Sequence, residues 1–401
     1  MISLAQSVLL EAIKSSLFDV QPNYLSNNDI CWDDVITEAK TQTVMGLVSP
    51  VIPVHDESSE HCKAMYMRIM YEQDKLLKCF ATAQIPCVIL KGSAASVYYP
   101  KPYLRTMGDI DVLVPSEKFI DSLKVLESNG YLFDHGQGYD EQVFDETREL
   151  AYTKNGVFIE IHQRFSSPGV NVDDILEPAI ERREFCNLNG YRFPMLPTPE
   201  NGLVLLGHLN QHLKNNVLGL RQIIDWEMYV HSVKDKASWL IQFMPLIEKA
   251  DLVTLAAYFT RMCNRHLGLP DVVNFGIDVD DVLVDELLDV VLTDGNFGRR
   301  VNAESTEDEK KMFDASYGIK HYGFFGYFTR VGLITNAFFN EHNSLKVFAF
   351  IYGFFRQFGR GIRVLFKYKG FNKKMNEGKQ MYELHTKRQE LYKKLGVRTG
   401  E

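Results

Sequence analysis

Asp109 and Asp111 are the residues whose type and spacing could do chemistry. They lie in the run Thr106-Met107-Gly108-Asp109-Ile110-Asp111-Val112-Leu113-Val114. Strand side chains alternate with period two, so both acids project to one face while Ile110 and Val112 pack on the other. Two carboxylates held that close repel unless a cation sits between them. Such a pair suits Mg²⁺, which prefers one or two carboxylates plus substrate phosphates, or Mn²⁺ in its place.

The stretch upstream is Val88-Ile89-Leu90-Lys91-Gly92-Ser93-Ala94-Ala95-Ser96-Val97-Tyr98-Tyr99. Val88 to Leu90 read as a short buried strand, which Gly92 and Ser93 break. Ser93 is a good N-cap for a helix over 94–99. A strand that feeds a glycine turn and a helix start leaves backbone N–H groups to hold an anion. Pro100 and Pro102 stop the helix, and a loop carrying Arg105 leads into the Asp109 strand. An anion cradle followed by a metal-ready acid pair reads as a nucleoside triphosphate site.

A third acid must come from a neighbouring strand, and Val157-Phe158-Ile159-Glu160-Ile161-His162 is the best candidate. Val157, Ile159 and Ile161 share one face, and Phe158, Glu160 and His162 share the other. Asn155-Gly156 just before it is a strong hairpin signal, joining it to a strand over 149–154. Between the two acid-bearing regions, 116–129 reads as an amphipathic helix with Phe119, Leu123 and Leu126 on one side, closed by Gly130. The predicted order is strand, helix, strand, helix, then hairpin.

These residues resemble the nucleotidyltransferase superfamily that shares its catalytic core with DNA polymerase β. The run Leu90-Lys91-Gly92-Ser93, Arg105, the strand 109–114, Glu160-Ile161-His162 and the Trp32-Asp33-Asp34 helix start resemble, more narrowly, a bacterial family of uncharacterised nucleotidyltransferases. The resemblance covers roughly residues 30–230. The gap from Ser93 to Asp109 is longer than the common superfamily spacing. The resemblance implies an α+β fold: a small mixed β-sheet core flanked by N-terminal and C-terminal helical regions. It also implies a cytoplasmic enzyme that moves a nucleoside monophosphate from an NTP, ATP by default, to an acceptor hydroxyl, releasing pyrophosphate. Asp109, Asp111 and Glu160 would be catalytic and hold two Mg²⁺ (or Mn²⁺) ions about 3.5 to 4 Å apart. Lys91, Gly92, Ser93 and Arg105 would bind the nucleotide. Arg221 or Asp225, from the helices that follow, would face the cleft.

Other readings stand beside these. Lys91 either meets the triphosphate or reaches solvent. Arg105 either clamps a phosphate bidentately or orients Asp109 or Asp111 through an ion pair. His162 reads as support for a neighbouring carboxylate. His208 and His212, one turn apart, have the spacing of a two-histidine metal site, but a packed pair is preferred for want of a third ligand. Removing either aspartate should stop turnover and leave the fold intact, since it relieves repulsion. Two other classes remain open. One is a glycosyltransferase that uses D-x-D to hold a nucleotide sugar; the other is a catalytically inactive binding module on the same fold.

The elements that position these residues divide the chain four ways: helical 1–83, core 84–196, helical 197–314 covering the cleft, and a basic aromatic tail 315–401. At 401 residues and 45% hydrophobic content, the chain has room for proper cores. In the first region, Leu4, Val8, Leu9 and Ile13 make one stripe, 34–47 a second helix, and 62–80 a third. Later helices are expected over 201–213 and 221–232. The six cysteines include no C-x-x-C and read as reduced residues of a cytoplasmic protein. The start has no basic n-region, so no signal peptide is expected, and no apolar run is long enough to span a bilayer. The tail holds 16 Lys plus Arg against 5 Asp plus Glu, a net +11, so the other 314 residues carry −19 of the overall −8. Three roles fit its interleaved aromatics: docking on the protein's own acidic surface, peripheral membrane contact, or a nucleic-acid or phosphorylated acceptor. The acceptor could equally be a sugar, a small molecule or a protein hydroxyl.

Overall fold

The computed structural model describes residues 2–26, 29–134, 148–166, 170–270, 273–296, 350–355 and 386–397. The chain divides into two compact units, residues 1–300 with 392–401, and residues 301–391. In the second, the described pieces 350–355 and 386–391 are helical. Of the basic aromatic tail only 350–355 and 386–397 are described, and the basic and aromatic stretches on which its three readings rest lie mostly outside the described residues.

The helices of the first unit are α1 (Leu4–Phe18), α2 (Trp32–Thr41), α3 (Met45–Val48), α4 (Ser58–Thr82), α5 (Gly92–Ser96) and α6 (Phe119–Ser128), then α7 (Asp173–Ala179), α8 (Thr198–Lys214), α9 (Leu220–Ser232), α10 (Lys236–Lys249), α11 (Val253–Met262) and α12 (Asp281–Asp294). The strands are β1 (Val88–Leu90), β2 (Asp109–Leu113), β3 (Leu132–Phe133), β4 (Glu149–Lys154), β5 (Val157–His162), β6 (Glu184–Leu188) and β7 (Tyr191–Met195). They form one mixed sheet in the order β3-β4-β5-β2-β1-β7-β6, the α+β arrangement expected. β2 runs parallel to β5 and antiparallel to β1. Among the described residues no helix is long and apolar enough to cross a membrane.

The sheet has one greasy face and one polar face. Ile110, Val112, Val157, Ile159 and Ile161 pack with Tyr66, Ile69, Leu76 and Phe80 of α4 and with Phe119, Leu123 and Leu126 of α6. Each such side chain, fully buried, contributes about 1.5–3 kcal/mol, so this layer holds the strands in register. Asn155 (φ +51°) and Gly156 (φ +69°) make the two-residue turn between β4 and β5. Positive φ at both positions is the hairpin geometry that Asn-Gly favours. Asn189 and Gly190 repeat it between β6 and β7.

Two local expectations fail for backbone reasons. The helix expected over 34–47 is split into α2 and α3 where Thr43 turns to φ +58°. The helix expected over 94–99 begins at Gly92 and ends at Ser96, with Lys91 rather than Ser93 at its N-cap. Ser93 Oγ donates instead to Gln73 Oε1 of α4 (2.5 Å), which ties the turn to the core layer.

Candidate active site

The polar face of the sheet is built by strand register. Asp111 stands opposite Glu160 across β2 and β5, Leu90 opposite Asp111 across β1 and β2, and Glu149 opposite His162 across β4 and β5. Lys91 follows directly on β1 at φ +42°, ψ −134°, a backbone region that side chains rarely occupy. Gly92 follows at φ +28°. A Cβ there would come 3.5 Å from the Asp109 carbonyl, an ordinary contact, so the dihedral rather than space calls for glycine. From this bend Lys91 Nζ donates to Asp111 Oδ1 at 2.6 Å.

These groups open into a cleft of about 180 Å³. Its sheet side carries Lys91, Gly92, Asp109, Asp111, Glu149, Glu160 and His162. Its helical side carries His208, Gln211 and His212 of α8 and Arg221 of α9, with Arg105, Arg148 and Phe165 from loops. Five predicted site residues besides Arg105 therefore share one wall. Ser93 does not line it, because it is buried and its side chain is turned to α4.

Arg105 lies on the cleft wall, but its forked edge is engaged. Nε donates to Asp225 Oδ1 and Nη2 to Asp225 Oδ2, both at 2.7 Å, and Tyr99 adds a third bond to Oδ1 at 2.7 Å. Burial works against the guanidinium charge, yet Asp225 outweighs it and keeps Arg105 charged. The ion pair expected with Asp109 or Asp111 is thus made instead with Asp225, a residue of α9. It ties the loop before β2 to the helical wall. Arg221 lines the cleft as the resemblance implied, and its Nη1 donates to the Thr106 carbonyl at 3.3 Å.

The acids are sharply differentiated. Burial alone would raise Asp111, but Lys91 and His162 hold its carboxyl well below the usual range. Burial, then the Asp111 charge beside it, push Glu160 up to about 7. Asp109 is raised by the same two causes in the same order. His162 is almost fully buried; its Nε2 lies 2.9 Å from Asp111 Oδ1 and 3.6 Å from Glu160 Oε2. Its Nδ1 is 3.0 Å from Glu149 Oε2, a charge contact rather than an aligned hydrogen bond. Burial opposes charge on the ring, but these contacts outweigh it and raise His162.

The donor set fits a cation. One donor atom each from Asp111, Glu160 and His162 lie within 4.8 Å of one another, and among the described residues this is the group that could hold a metal ion. Asp109, expected as a ligand, stands outside it. His162 stands beside Asp111 as the support for a carboxylate that its sequence position suggested, whereas Glu149 was missed as its partner. The alternation placing His162 on the Glu160 face was the available signal.

His208 and His212 pack edge to face at 4.2 Å between ring centroids. Burial keeps His208 well below its ordinary value and brings His212 down to about 4. In an unfolded chain His212 takes up a proton near pH 6.5; in the fold it resists until about 4. Its stabilisation is therefore full above pH 6.5 and is lost as the pH falls through 4. A urea midpoint measured at pH 7 and at 4.5 should fall less in His212→Gln than in the wild type. Equal falls would show that the histidine does not drive the loss.

A mixed sheet that carries an acid pair beside a glycine bend, with a third acid on the adjacent parallel strand, defines a nucleotidyltransferase-type protein. A family model described as an uncharacterised nucleotidyltransferase matches residues 28–268, more than half of the chain. The chain belongs to that family. Among curated proteins none matches it.

Proposed function

We propose that the protein is a metal-dependent enzyme that transfers a nucleoside monophosphate from an NTP to an acceptor hydroxyl and releases pyrophosphate. The observation that carries this reading is Asp111 opposite Glu160 on parallel strands, beside the Lys91-Gly92 bend, in a chain of this family. Asp109, Asp111 and Glu160 are the catalytic acids, and Asp111 and Glu160 are the first candidates to hold the cation, Mg²⁺ or Mn²⁺. A bound divalent cation supplies charge neutralisation on the phosphates and acidifies the acceptor hydroxyl. Glu160 accepts the hydroxyl proton directly or through a water it orients. The backbone of Gly92 and Ser93 cradles the triphosphate. Lys91, and Arg221 across the cleft, face the charge that builds on the departing oxygens. Arg105 acts on that side while anchored by Asp225. ATP is the default donor, and the cytoplasm is the compartment that six free cysteines favour.

The test offers all four NTPs, with Mg²⁺ or Mn²⁺ and a lysate as acceptor pool, reading pyrophosphate release and nucleotide adducts by mass spectrometry. Adducts with stoichiometric pyrophosphate are expected. Transfer from nucleotide sugars without pyrophosphate would favour the glycosyltransferase instead. An inactive binding module would show neither product, and no cation-dependent thermal shift with a non-hydrolysable triphosphate.

A further inference from the structure

His162 does no chemistry in that reading, yet it sits among the carboxylates. Its Nε2 points between Asp111 and Glu160, 2.9 Å from one and 3.6 Å from the other. Its Nδ1 faces Glu149 at 3.0 Å. A metal-bound histidine nearly always donates its second ring N–H to a carboxylate, a backbone carbonyl or a water, which fixes the tautomer and turns the other lone pair to the ion. Glu149 stands directly opposite His162 across the β4–β5 hairpin, in place to do this. The three donor atoms of Asp111, Glu160 and His162 are close enough to share one ion.

We propose that His162 Nε2 is a ligand of the cation together with Asp111 and Glu160, that Glu149 positions it, and that the centre therefore takes Mn²⁺ before Mg²⁺. The proposal rests on the metal-dependent reading of the same cleft. Mg²⁺ keeps to oxygen and water, whereas imidazole suits transition ions. The mixed nitrogen and oxygen set thus discriminates where three carboxylates would not.

The experiment loads the full-length protein with Mn²⁺ alone, without nucleotide, and records electron spin-echo envelope modulation. Modulation from one directly bound ¹⁴N is expected, replaced by the ¹⁵N pattern in protein made with ¹⁵N-histidine. It should vanish in His162→Gln and survive in His208→Gln and His212→Gln, whose rings line the same cleft. Glu149→Gln should keep the nitrogen signal but bind Mn²⁺ about 10 to 100 times more weakly. The preference for Mn²⁺ over Mg²⁺ should shrink by about tenfold in His162→Gln, as expected when the nitrogen donor is removed. Mn²⁺ bound without nitrogen coupling, or coupling that persists in His162→Gln, overturns the ligand assignment and leaves the metal-dependent reading standing. Folded protein that binds no Mn²⁺ overturns both.

Discussion

Asp111→Asn should stop nucleotide transfer and also lower the melting temperature. The two losses have separate causes. On the proposed chemistry the rate should fall at least roughly a thousandfold, because the cation would lose a ligand and several kcal/mol of charge stabilisation. The fold weakens because Lys91 and His162, 2.6 Å and 2.9 Å from the same carboxylate oxygen, lose the anion that compensates them. Breaking a buried ion pair from one side costs about 3–5 kcal/mol. Asp109→Asn should lose activity comparably without the stability loss, because burial and its neighbour already disfavour its charge. The expectation that either aspartate could be removed without harm to the fold thus applies to Asp109 alone. Pyrophosphate release and a melting curve on each variant check both halves. Full transfer by both variants would end the proposed chemistry.

Asp225→Asn should cause the second large effect. Asp225 accepts both arms of the Arg105 fork and the Tyr99 hydroxyl, all at 2.7 Å, and it is 2% exposed. An amide cannot balance Arg105, and Arg221 also senses the missing charge. The expected cost is about 3–5 kcal/mol, read as a lower urea midpoint. Replacing the pair together, as Arg105→Met with Asp225→Leu, should recover much of it, since well-packed apolar substitutes often match a buried ion pair. An unchanged midpoint in Asp225→Asn would mean that the pair does not hold sheet and helices together.

Much of this site could be read from local pattern. The alternation of 157–162 and the spacing of Asp109 and Asp111 put the acids on one face, because pleat and burial act within a few residues. The Asn155-Gly156 turn was equally local, and Asn189-Gly190 carried the same signal for β6 and β7. What stayed hidden was set by distance in sequence or by strain. Nothing near Arg105 points to a partner 120 residues away. Nor does composition say that Lys91 accepts a positive φ so that its amine reaches Asp111. Ser93 has an N-cap's chemistry, but its hydroxyl is claimed by Gln73 of α4, a helix packed from the opposite side.

The hairpin between β4 and β5 has a consequence far from its tip. Glu149 meets His162 only because two residues, Asn155 and Gly156, close the ribbon in that register. Side chains alternate along a strand, so one extra residue at the tip, if β4 slid to absorb it, would swing Glu149 to the greasy side. The ring would lose its tether although no atom in the cleft had been edited. Length at this distant loop is therefore under the same constraint as the identity of the acids themselves.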